Sequence, residues 1–143
     1  MITTHDRRLK AIRYVDRNAA TPLEMFVGAL EAACMRAVWA GKRTTKEIWL
    51  YVVDNYARTF AQREGADEPL SYTTVTTTVV RLMDKQLLDR SAERSAHGYA
   101  YTPAYSSEAR FVRAAIALVI ESLYDAAPDA AYAAMRGIVE DHA

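Results

Sequence analysis

The sequence predicts a mainly α fold carrying one small β-hairpin, and three observations support it. Apolar residues recur at three- and four-residue steps in successive stretches, the period of a helix with one buried face. Two short extended segments, Leu87 to Arg90 and Tyr99 to Thr102, enclose a polar tip closed by Gly98, as a hairpin requires. Between Leu70 and Leu88, Tyr72, Val75, Val79, Leu82 and Met83 gather on one helical face, while Thr73, Thr77, Arg81 and Asp84 fall on the other.

The chain of 143 residues is 51% hydrophobic, enough for one core and one domain's worth of length. Its 18 basic and 18 acidic residues cancel, so overall charge selects no nucleic-acid or membrane partner. Their distribution is uneven, with 15 basic against 12 acidic residues up to position 105 and 3 against 6 beyond it. The N-terminus lacks an apolar signal region, and the run Ala114 to Ile120 is too short to span a bilayer, which needs about 20 residues. A cytoplasmic protein without membrane contact is expected. Cys34, the single cysteine, lies four residues from both Leu30 and Val38, a core position; it forms no disulfide within the chain and no cysteine metal cluster.

Residues 1–26 form a basic N-terminal arm, with Arg7, Arg8, Lys10, Arg13 and Arg17 against Asp6 and Asp16. Two readings stay open for it: a solvated terminus, or a segment that probes a groove. From Val27 to Gly41 the pattern Leu30, Ala33, Cys34, Val38, with Met35 and Trp39 beside it, predicts a first helix stopped by Gly41. Thr44 or Thr45 caps a second, built on Ile48, Val52, Val53, Tyr56 and Phe60. Gln62 to Pro69 is a loop, and the helix from Leu70 to Gln86 follows. Threonine is a mediocre helix former, so five in the six positions 73 to 78 imply a task other than stability. A β-strand is the competing reading, since Thr-Val runs favour strands; the 3.6 period and the helical continuation through Arg81 to Gln86 argue against it.

After the hairpin, a helix beginning near Ser106 carries Phe111, Ala115, Leu118, Val119 and Ser122 on one face, broadened by Ile116, Ile120, Leu123 and Tyr124. A break at Ala127-Pro128-Asp129 precedes a last helix with Tyr132, Met135, Ile138 and Val139. Three helices and then a hairpin is the order of a winged helix-turn-helix, here over residues 27–105, with a helical dimerisation region at 106–143.

The residues also resemble a known family, the BlaI/MecI penicillinase repressors of bacteria. The block Val27 to Trp39, with Leu30, Glu31, Met35 and Trp39, is similar to the family's first helix. Tyr72-Thr73-Thr74-Val75, with Thr77, Val79, Arg81 and Leu82, resembles its recognition helix; His97 to Pro103 resembles its wing, and Val139-Glu140 its end. The resemblance runs from residue 27 to about residue 140 and implies a homodimer that binds an inverted-repeat operator, represses transcription and is relieved when a sensor protease cuts it. Three departures stand out: the leading segment, the longer stretch Arg58 to Glu68, and Gly137-Ile138 where the family is cut at Asn-Phe.

The expected contacts with double-stranded DNA are Ser71, Thr73, Thr74, Thr76, Thr77 and Arg81 on the threonine helix, with Arg94 and His97 in the wing. Short hydroxyls and methyls suit a groove, and a helix N-terminus suits phosphate. The expected dimer interface is Phe111, Ala115, Leu118, Val119, Leu123, Tyr132, Met135 and Ile138, because the apolar band is wider than one small domain covers. No metal site or cofactor is expected. Enzyme readings fail on motifs: there is no glycine-rich phosphate loop and no His-Glu-x-x-His, and His5, His97 and His142 lie far apart in sequence. The remaining rival is a winged-helix protein-interaction module without DNA binding.

Overall fold

The computed structural model describes residues 15, 16, 18 to 60 and 70 to 124. The expected loop Gln62 to Pro69, the last helix and most of the basic arm lie outside the described residues. The elements run α1 (Pro22–Phe26), α2 (Ala29–Trp39), α3 (Thr45–Tyr56), α4 (Tyr72–Asp84), β1 (Leu88–Arg90), β2 (Tyr101–Pro103) and α5 (Glu108–Tyr124). Helices α2, α3 and α4 pack on one another with the antiparallel hairpin β1-β2 beside them, the arrangement of a winged helix-turn-helix.

Local chemistry sets the boundaries. Thr44 caps α3 by accepting the Glu47 N–H, and Glu47 accepts the Thr44 N–H at 3.1 Å, a reciprocal capping box. The Arg43 and Thr44 N–H groups hold the Glu47 carboxyl below the ordinary carboxylate range. Gly41 ends α2 at φ +104°, with Lys42 N–H returning to the Ala37 carbonyl, the closure that the sequence anticipates. Helix α4 ends the same way without glycine: Gln86 takes φ 61° and Leu87 N–H returns to the Leu82 carbonyl. In the hairpin, Leu88 pairs with Pro103 and Arg90 with Tyr101, while Tyr101 N–H also donates to the Arg43 carbonyl at 2.7 Å. That bond ties the wing to the turn between α2 and α3.

Two boundaries read from sequence need correction. The basic arm, placed at 1–26, loses its last residues to the core: Pro22 opens α1, and Leu23, Met25 and Phe26 are buried. The division at 105/106 also cuts through the core, because Phe111 and Ala115 of α5 are buried within this same chain. Phe111 stands edge-on to Phe26 at 6.4 Å and to Tyr105 at 5.5 Å. Arg36 adds a polar tie, with Nε 2.9 Å from Glu108 Oε1, Nη1 3.4 Å from Glu24 Oε1 and Nη2 3.1 Å from Thr21 Oγ1. The hydrogen bond to Glu108 leads the influences that push the Arg36 pKa further up. The first turn of α5 is therefore part of the winged domain. Cys34 is fully buried, and desolvation, helped by Glu31, pushes its thiol up to about 12, which makes it an inert core residue.

Candidate nucleic-acid interface

Helix α4 buries Val75, Thr78, Val79 and Leu82 and turns its other side to solvent. Ser71 is the N-cap: its Oγ accepts the Thr74 N–H at 3.2 Å and lies 2.7 Å from Thr74 Oγ1. Thr76, Thr77 and Thr78 donate their hydroxyls to the carbonyls four residues back, Tyr72 at 3.0 Å, Thr73 at 3.1 Å and Thr74 at 2.9 Å. Back-bonding of this kind satisfies hydroxyls that would otherwise compete with the helix, so the threonine run folds without an outside partner. Ser71, Thr73, Thr77 and Arg81 are exposed, and Thr74 and Thr76 are half-buried. All six expected α4 contacts thus belong to one helix, although the hydroxyl hydrogens of Thr76 and Thr77 already have acceptors.

One expectation for this helix is overturned. Tyr72, expected on the packed face, is 46% exposed. It occupies the first helical position, beyond the stripe formed by Val75, Val79 and Leu82, and its ring meets Trp49 edge-on at 5.7 Å. The Trp49 indole is itself fixed by donating to the Leu70 carbonyl. Sequence reasoning also missed Val80, which is 43% exposed; a valine in an amphipathic stretch reads as core unless its own angular position is checked.

Thr73, Thr74, Thr77, Thr78 and Arg81 line one wall of an open groove of about 430 Å³, and Gly28 to Glu31 at the start of α2 line the other. Glu31 does not leave this groove acidic. Its carboxylate accepts the Gly28 N–H and sits 2.9 Å from Lys85 Nζ, so the nearest cation and anion neutralise one another, while Arg81 makes no ion pair among the described residues. Arg94 and His97 stand exposed on the hairpin tip, a separate element whose turn is shaped by the Ser95–Gly98 bridge with Gly98 at φ +90°. Arg90 lies 4.0 Å over the Tyr99 ring, a cation–π contact that holds it against the wing. No cluster of histidine, cysteine or carboxylate that could hold a metal occurs among the described residues.

A family model described as penicillinase repressor matches residues 27–137. The chain belongs to the penicillinase repressor family. No curated protein and no solved structure matches the chain. Membership gives this repressor a role in transcriptional control, and no helix among its described residues is long and apolar enough to cross a membrane.

The repressor's expected dimer residues divide three ways. Phe111 and Ala115 are removed from the interface, being 1% and 0% exposed inside their own chain's core; a helix pattern cannot tell which of two apolar faces is already covered. Leu118 and Val119 are half-buried against that core. Tyr132, Met135, Ile138 and the Leu123 side chain lie outside the described residues. Ile116, placed on the broadened apolar band from sequence, is half-buried on α5, and so is Val112, which was not singled out.

Proposed function

We propose that this repressor binds an inverted-repeat operator in double-stranded DNA as a homodimer, acting in the cytoplasm, with α4 entering the major groove and the hairpin tip lying on the sugar-phosphate backbone. The observation that carries the reading is the solvent face of α4, where Thr73, Thr77 and Arg81 project beside one another, exposed and, among the described residues, with no hydrogen-bond or ion-pair partner outside their own helix. Gel shifts on the DNA upstream of its own coding sequence and on a random duplex, each at two salt concentrations, test it. A tighter, less salt-sensitive shift on the upstream fragment is expected, because base contacts add to the salt-dependent phosphate term.

The interaction-module reading has one observation in its favour, the low positive charge of this face: Lys85 is taken by Glu31, and Arg81 is followed by Asp84. Absence of a shift on either fragment would decide for it. Dimerisation would use the parts of Val112, Ile116, Leu118 and Val119 on α5 that stay exposed although these side chains pack on their own core; light scattering of the purified chain reads the expected dimer mass. Relief by cleavage at an Asn-Phe bond does not fit this chain, which carries Gly137-Ile138 at that place.

A further inference from the structure

Val80 is a large apolar side chain that the fold leaves exposed. It follows Thr73 by seven residues and Thr77 by three, so it stands on the same outward face, where a polar residue would cost less to hydrate. Thr76 and Thr77 beside it have turned their hydroxyl hydrogens onto the helix backbone. What such a threonine offers outward is a methyl group and an oxygen lone pair. The middle of the face, Thr76, Thr77 and Val80, is therefore rich in methyls and poor in donors, with Arg81 as the fixed cation at its edge.

We infer that this methyl-rich centre of α4 reads thymine in the major groove, with Thr77 and Val80 as specificity-determining residues; the inference rests on the DNA-binding reading above. Guanine presents two acceptors in the major groove and calls for donors, which this centre lacks. An A·T pair presents the thymine C5-methyl and the adenine N6 amino group. The first packs against the Val80 and Thr77 methyls, and the second can donate to the Thr76 oxygen, whose own hydrogen points back into the helix. Each methyl taken out of water is equivalent to ~0.8 kcal/mol, about fourfold in affinity.

The test begins with selection of bound duplexes from a randomised library by the full chain. The enriched duplex is then synthesised with thymine, with uracil inside the protected footprint, and with uracil only outside it, and binding is measured by fluorescence anisotropy. Uracil differs only by the missing methyl. We expect the footprint-uracil duplex to bind about fourfold more weakly for each methyl that the protein covers, the outside-uracil duplex to match thymine, and Val80→Ala to narrow the thymine-to-uracil ratio. Thr77→Val, which keeps the methyls, should retain affinity, whereas Thr77→Ser, which keeps the hydroxyl, should lose it; thermal melts confirm that each variant is folded. Equal binding of the thymine and footprint-uracil duplexes, or retention by Thr77→Ser with loss by Thr77→Val, overturns the inference while leaving DNA binding intact. A library from which nothing is enriched overturns both.

Discussion

Helices α2 and α4 are neighbours in one small domain and use their polar residues in opposite ways. On α2, polar side chains reach other elements: Arg36 joins α1 and α5 through Glu24 and Glu108, and Glu31 holds Lys85, the residue that caps the end of α4. On α4, the outward polar side chains turn back on their own helix or meet solvent. A side chain that bridges elements stabilises the fold, and altering it should register as lost stability. One that is satisfied locally and still exposed contributes little to folding, so altering it should register only when a partner is present.

The sharpest contrast comes from the aromatic cluster beneath α2. Phe111 is 1% exposed and meets both Phe26 and Tyr105 edge-on. Phe111→Ala should lower stability by about 3–5 kcal/mol, a large part of the roughly 5–15 kcal/mol that a folded domain possesses. Chemical denaturation of the purified variant measures it. A loss below about 1 kcal/mol would return Phe111 to the dimer face and α5 to a separate unit. Cutting the chain after Tyr105 removes the same side chain, so the truncated protein should unfold rather than become a folded monomer.

Next in size is Arg36→Ala, expected to cost roughly 2 kcal/mol, because it leaves two half-buried carboxylates, Glu24 and Glu108, without their shared donor. Removing both carboxylates as well, as Glu24→Gln with Glu108→Gln in the Arg36→Ala background, should recover part of the loss if the penalty comes from stranded charge. A melting curve indistinguishable from the parent would show the ties to be surface pairs of negligible weight.

Thr77→Ala lies on the other side of the comparison. Its stability should stay within about 0.5 kcal/mol of the parent, while its affinity for a specific site falls by about 1 kcal/mol and its affinity for random DNA hardly changes. Equal loss on both DNAs would make Thr77 a general contact, and a large loss in melting temperature would move it to the structural class with Arg36.

The contrast also explains what the sequence disclosed. Helix ends and the hairpin turn were legible because their chemistry is local: Thr44 with Glu47 and Gly41 at helix ends, and Gly98 in the turn, each act over three or four residues. The buried side of α4 was legible at Val75, Val79 and Leu82, since a 3.6 period marks one face. Long-range packing was not. Helix α1 has five residues, too few to show a period, and it joins the core by packing on α5 and α2, with Phe26 edge-on to Phe111. For the same reason the helical pattern alone assigns the apolar band of α5 whole to a partner, although part of it belongs to its own chain. Tyr72 shows the opposite error, in which an apolar residue passes for a buried one where the helix turns outward, and Val80, exposed on the same helix, was left unassigned.

The smallest expected effect concerns the wing. Arg94 is exposed on the hairpin tip and makes no ion pair among the described residues, whereas Arg90 is held over Tyr99. Arg94→Ala should leave stability unchanged and weaken binding by a similar factor on specific and random duplexes, because a phosphate contact carries no sequence information. It should also flatten the plot of log affinity against log salt by about 0.9 for each phosphate that the variant no longer neutralises. Arg90→Ala is the matched control: it removes a cation already occupied by an aromatic ring, so its main effect should be a small loss of stability with a nearly unchanged slope. If the two variants exchange behaviour, the wing meets DNA through its base rather than its tip, and the contrast between committed and uncommitted side chains fails for the hairpin even if it holds for the helices.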